Sequence, residues 1–160
     1  MRTKALLAAL ALSLSACATM VNGGFAKLKP GIATVSDVEA QVGKPNYTWK
    51  NTDGSQQWEY SDQPSRQVTY MVLIAPDNKV LTVDQVLTRE QAYKVKAGMT
   101  EDEVRRLLGA PGSKTPNLKN EITWDWNAPD WMDGFRQHFL VYFNRAGRVT
   151  RTDILTFQEN

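Results

Sequence analysis

An α+β fold of two tandem ααβββ units, each with two helices packed on a three- to four-stranded antiparallel sheet, is what this 160-residue sequence predicts. Three observations predict it. The stretch from Gly98 to Trp126 is stated twice: Thr34, Gly43, Pro45 and Trp58 recur as Thr100, Gly109, Pro111 and Trp124, at a constant offset of 66. Each copy opens on a short segment whose apolar residues stand three and four apart, the period of a helix. Each then continues into β-branched and aromatic runs separated by turn residues, the pattern of antiparallel strands.

The chain begins outside that repeat. Arg2 and Lys4 precede an apolar run, Ala5 to Leu14, interrupted only by Ser13, and Ser15, Ala16 and Cys17 follow. A basic start, a short apolar run and small residues form a secretory signal. The run is far below the roughly 20 residues a membrane-spanning helix needs. Leu14-Ser15-Ala16-Cys17 resembles the lipobox of bacterial lipoproteins. That resemblance implies cleavage between Ala16 and Cys17, removal of residues 1–16, and lipidation of Cys17. Each buried methylene of an acyl chain adds about 0.8 kcal/mol, so two or three chains hold a protein firmly on a membrane. Ala18 rather than Asp after Cys17 implies sorting to the outer membrane, with the protein on its periplasmic face. Cys17 is the only cysteine, so no disulfide can form within one chain.

Charge narrows the partners. The whole chain has 19 Lys+Arg and 17 Asp+Glu, and loss of Arg2 and Lys4 leaves 17 of each. A formally neutral mature protein has no general attraction for nucleic acid or anionic lipid. The expected membrane contact is the lipid anchor, not a basic surface.

The elements follow in order. Residues 17–24 read as lipidated Cys and tether, ending in Asn22-Gly23-Gly24. The first unit is expected over 25–87. Phe25 to Lys29 allows one helical turn before Pro30-Gly31. A helix from Thr34 carries Val35, Val38 and Val42 on one face and is stopped by Gly43 and Pro45. Tyr47–Lys50, Gln56–Ser61, Gln67–Ile74 and Val80–Leu87 read as strands, with Asp53-Gly54 and Pro76-Asp77-Asn78 as turns.

The second unit is expected over 88–160. Thr88 with Gln91 reads as a capping box for a helix over 89–97. Thr100 with Glu103 caps the next, whose apolar face is Val104, Leu107 and Leu108. Glu121–Trp126, His138–Phe143 and Arg148–Phe157 are its strands. The offset grows from 66 at Trp58/Trp124 to 69 at Val80/Val149, so three residues have entered between the second and third strands, counting the short strand of the first unit as its first. They lie in a long loop, Asn127 to Gln137.

Gly98-Met99-Thr100 to Gly109-Ala110-Pro111, then Trp124-Asp125-Trp126 and Phe143-Asn144-x-x-Gly147-x-Val149, resemble the SmpA/OmlA family of BamE-like outer-membrane lipoproteins. The resemblance implies an ααβββ domain and a non-catalytic accessory role in outer-membrane β-barrel protein assembly. It implies no cofactor. The partners it implies are the membrane, through Cys17, and another envelope protein, with the β-barrel assembly machinery as the candidate. Two such units in one chain also resemble the β-lactamase inhibitor protein fold, which implies the alternative of a periplasmic inhibitor-like binding module.

Reaction chemistry finds little support. His138 is the only His, and the only Cys, Cys17, is expected to carry lipid, so neither a Cys–His pair nor a His-rich metal site is expected. No Gly-x-Ser-x-Gly nucleophile turn and no phosphate-binding glycine loop occurs. Glu101, Asp102 and Glu103 sit in a helix first turn, where they favour the helix dipole. Trp58, Tyr60, Trp124 and Trp126 alternate as core-facing strand residues do. The candidate partner-binding residues are Trp131, Met132, Phe135 and Arg136. They fall in the long loop and are of types enriched at interfaces.

Overall fold

The computed structural model describes residues 21–128, 131 and 135–158. Ala16, Cys17 and Met132 lie outside them. The elements are α1 (Val21–Phe25), α2 (Val35–Val42), β1 (Tyr47–Lys50), β2 (Gln56–Ser61), β3 (Thr69–Ile74) and β4 (Val80–Gln85). A second series follows: α3 (Arg89–Ala92), α4 (Glu101–Leu108), β5 (Ser113–Pro116), β6 (Ile122–Ala128), β7 (Phe135–Phe143) and β8 (Val149–Gln158). The strands form two antiparallel four-stranded sheets, ordered β1-β2-β3-β4 and β5-β6-β7-β8.

The caps explain where the longer helices begin. Thr100 Oγ1 accepts from the Glu103 N–H at 3.1 Å while the Glu103 carboxylate accepts from the Thr100 N–H at 2.7 Å. Thr34 and Asp37 make the same reciprocal pair, at 3.4 and 2.8 Å. The sequence pattern misses this second box because Asp is one methylene shorter than the usual Glu or Gln. In both, the backbone hydrogen bond from the threonine holds the carboxyl below its ordinary range. Gly43 and Gly109 end the two helices with φ of 83° and 79°.

Three sequence expectations are corrected. The first helix begins at Val21, inside the segment read as tether, and ends at Phe25 instead of starting there. Gly24 is present for close approach: a Cβ there would lie 2.7 Å from both Gln41 O and Val42 Cγ1. The helix expected over 89–97 stops at Ala92. Thr88 accepts the Gln91 N–H at 3.2 Å, but Gln91 Oε1 returns no bond, so the box is half made. The chain then tightens into i→i+3 turns, Lys94 N to Gln91 O and Val95 N to Ala92 O, which carry Val95 into the core. The long loop is also shorter than expected. β6 runs on to Ala128 and β7 starts at Phe135, so Phe135 and Arg136 are strand residues paired with Gln158 and Phe157.

The same hydrogen bonds occur in both halves. Tyr60 donates its hydroxyl to Gly43 O at 3.0 Å, and Trp126 donates Nε1 to Gly109 O at 3.2 Å. Asn51 N bonds Ser55 O as Asn117 N bonds Glu121 O. Gly31 N bonds Val80 O as Gly98 N bonds Val149 O. Even the register shifts coincide, at Leu73/Ile74 and Tyr142/Phe143.

Each half has its own core. In the first, Phe25 and Leu28 cover Trp58, Tyr60, Val72 and Ile74, with Phe25 stacked on Tyr70 at 4.1 Å. In the second, Val95, Val104 and Leu108 cover Trp124, Trp126, Phe139 and Phe143. The tryptophans and tyrosine read as core by alternation are core. A smaller cluster, Trp49, Met71 and Val86, lies on the other face of the first sheet. α4 is placed against that face as well as against its own sheet, which gives a layer order of helices, sheet, α4, sheet.

Candidate protein-binding faces

Among the side chains that β2 and β3 turn away from α1 and α2, Glu59, Thr69 and Met71 are buried. Glu59 is wholly buried, which an unpaired carboxylate would not tolerate. Arg105 on α4 pairs with it through two hydrogen bonds, at 2.8 and 3.2 Å, and the Ala110 N–H donates to the same carboxylate at 3.2 Å. The Arg105 guanidinium also lies over the Tyr47 ring, 4.2 Å from its centroid.

Further bonds fix the register of this junction. Trp49 Nε1 donates to Asp102 at 2.6 Å, and Gln57 Nε2 donates to Arg106 O at 3.0 Å. Ser61 Oγ donates to Ala110 O at 3.1 Å. Beyond the helix, the Gln63 carboxamide spans the backbone of Asn127, donating to its O and accepting from its N, each at 3.0 Å. β5 is too short to pair with that end of β6, and Gln63 supplies what the missing strand residue would. Asp102 thus has a task that its place in a helix first turn does not disclose. Partial burial works against its ionisation. The hydrogen bonds from Arg106 and Trp49 outweigh that and hold its carboxyl below the usual range.

The second sheet turns the equivalent face outward. β6 contributes Asp125 and Asn127, β7 contributes Arg136, His138 and Leu140, and β8 contributes Leu155 and Phe157. His138 Nδ1 lies 2.8 and 3.0 Å from the two Asp125 oxygens, and the Phe157 ring meets the imidazole edge-on at 5.5 Å. At the far end, Glu121 takes Arg151 at 2.8 Å with bonds from Asn117 and Thr150, which push its carboxyl down to about 2.

The residues nominated from sequence as a binding loop divide. Trp131 turns inward and packs on the second core, 6.0 Å from the Phe139 ring centroid, half-buried and with its Nε1 unpartnered. Phe135 is half-buried on β7. Arg136 lies on the outward face beside Phe157. Trp131→Ala is therefore expected to lower stability by roughly 1–3 kcal/mol, less than the loss of a fully buried tryptophan. Thermal unfolding checks this, and an unchanged melting temperature would place Trp131 off the core.

A cleft of about 390 Å³ opens between β4 and α3, lined by Asp84, Gln85, Glu90, Gln91, Lys94 and Arg106 among others. Its charges are of both signs, and nothing in it converges on one ligand chemistry. Among the described residues no cluster of side chains could hold a metal ion, and no helix is long and apolar enough to cross a membrane.

A short helix pair on a four-stranded sheet, whose polar side chains fix one face of the chain against another, defines a small α+β domain. Residues 85–153 match the family described as the outer membrane protein assembly factor BamE domain. The resemblance read from its capping box, Gly-x-Pro stop and tryptophans is borne out there. A solved structure described as a putative osmotically inducible lipoprotein, OsmE, is similar at 27% identity, over 44% of this chain and 75% of that one, with a TM-score of 0.38. No curated protein matches the chain significantly.

Proposed function

We propose that this protein is a non-catalytic, lipid-anchored accessory factor in assembly of the outer membrane and its β-barrel proteins, built from two BamE-like units. The observation that carries the reading is the assembly-factor domain over 85–153, whose helix stops and strand turns recur in the first half. The units are taken as 25–87, with α1 added at the front, and 88–160. Cys17 is the anchor, cleavage falls after Ala16, and the folded part sits on the periplasmic face of the outer membrane.

Affinity purification from detergent-solubilised envelopes tests the role. Subunits of the β-barrel assembly machinery are expected in the eluate. Recovery of a single soluble periplasmic enzyme in their place would overturn the reading in favour of an inhibitor-like module. A Cys17→Ala protein is expected in the soluble fraction, and its continued sedimentation with membranes would remove the anchor from the proposal.

A further inference from the structure

One sheet face in this molecule carries its ligand within the same chain, and the second sheet repeats that face in the open. The offsets that match the two halves carry Glu59 to Asp125, Thr69 to His138 and Met71 to Leu140. In the first sheet these positions are covered by α4, with Arg105 on the acid. In the second, Leu140 is buried, but the Asp125 and His138 side chains are 29% and 25% exposed, and beside them Leu155 and Phe157 are 40% and 49% exposed. An acid at the centre, with exposed apolar side chains along one flank, is the half of the junction that accepts.

We propose that this face receives a helix of a partner protein, docked as α4 docks on the first sheet, with an arginine of that helix on Asp125. The charge of the face selects the occupant. A fixed cation with paired donors complements a half-buried carboxylate, and Arg does so through two hydrogen bonds where Lys offers a point charge. Asp125 is meanwhile held by His138, a neighbour on its own sheet, so the carboxylate is not left bare before a partner arrives.

A second copy of this chain does not fit. The element of the first half equivalent to α4 is α2, and where α4 carries Arg105 and Arg106, α2 carries Glu39 and Ala40. Stacking one molecule on the next by the same geometry would set Glu39 against Asp125. That like-charge contact closes off head-to-tail growth, which a repeated sheet-and-helix layer would otherwise invite. The occupant is thus a different protein with a basic helix face. This inference rests on the reading of the chain as a protein-binding module and adds the chemistry of what it binds.

The test uses the full lipidated protein in detergent micelles and a hydrocarbon-stapled peptide of the Thr100–Leu108 sequence as the probe, with binding followed by fluorescence anisotropy. The peptide is expected to bind. Asp125→Asn in the protein, and Gln in place of the peptide's arginine equivalent to Arg105, are each expected to weaken binding at least tenfold. Their combination is expected to weaken it little further. Leu155→Glu, which leaves the acid intact, is expected to weaken binding as well, and thermal unfolding verifies that both protein variants are folded. Absence of binding, or binding indifferent to Asp125→Asn and Leu155→Glu, overturns the proposal. Neither result bears on whether assembly subunits co-purify from envelopes, so this inference and the proposed function fail separately.

Discussion

Glu59→Ala should cost about 3–5 kcal/mol, the penalty for removing one partner of a buried ion pair and leaving the other stranded. The carboxylate is wholly buried, and it satisfies Arg105 twice and the Ala110 N–H once. Without it, three donors lose their acceptor at a contact between two separately cored halves. The loss should also change the shape of unfolding. The first core holds Trp58, with Trp49 at the junction, and the second holds Trp124 and Trp126. Tryptophan fluorescence in a urea titration should therefore resolve two transitions in the variant where the parent shows one. Replacing Glu59 and Arg105 together with Met should cost much less than either single change, since no charge is then left unpaired. A single-variant loss below about 1 kcal/mol, within the ordinary effect of a point substitution, would show that the pair does not hold the halves together.

The Glu59–Arg105 pair also marks what the sequence withholds. Alternation placed Trp58 and Tyr60 inward correctly, and the same alternation placed Glu59 on the opposite side, where an acid is ordinarily read as solvated. Nothing within β2 discloses that this side is covered, because the cover comes from α4, 46 residues further along. The cue available in the sequence was a difference between copies: Glu39 and Ala40 in α2 become Arg105 and Arg106 in α4. Helix caps and stops were legible because they are local. Thr100 and Glu103 bond each other, and Gly109 needs a conformation that few other residues take. Trp131 was nominated for partner binding from its place in a loop without periodicity, and periodicity could not show that its ring also packs on the second core. The strands on either side of its loop are longer than periodicity suggested, and β7 brings Phe139 beneath it. What remained legible without the structure was the likeness of the second half to the matched family, which its capping box and paired tryptophans carried.

Gly43 and Gly109 permit the junction to be measured against the backbone. They occupy the same position in their halves, with φ and ψ of 83° and −167° in one and 79° and −173° in the other. That region is almost closed to residues with a Cβ, so alanine at either site should cost about 1–3 kcal/mol from backbone strain alone. The surroundings differ. A Cβ at Gly43 has nothing within 4 Å, whereas one at Gly109 would overlap Thr69 Cγ2 and lie 3.3 Å from its Oγ1. Gly109→Ala should therefore exceed Gly43→Ala by a further overpacking cost of roughly 1–3 kcal/mol. Thr69→Ser deletes the offending methyl and should return most of that excess without affecting Gly43→Ala. Urea denaturation of the three single and two double variants gives the coupling directly. Equal costs at the two glycines, or an excess at Gly109 that Thr69→Ser leaves in place, would mean that α4 and the first sheet are not in the close contact on which the layered arrangement depends.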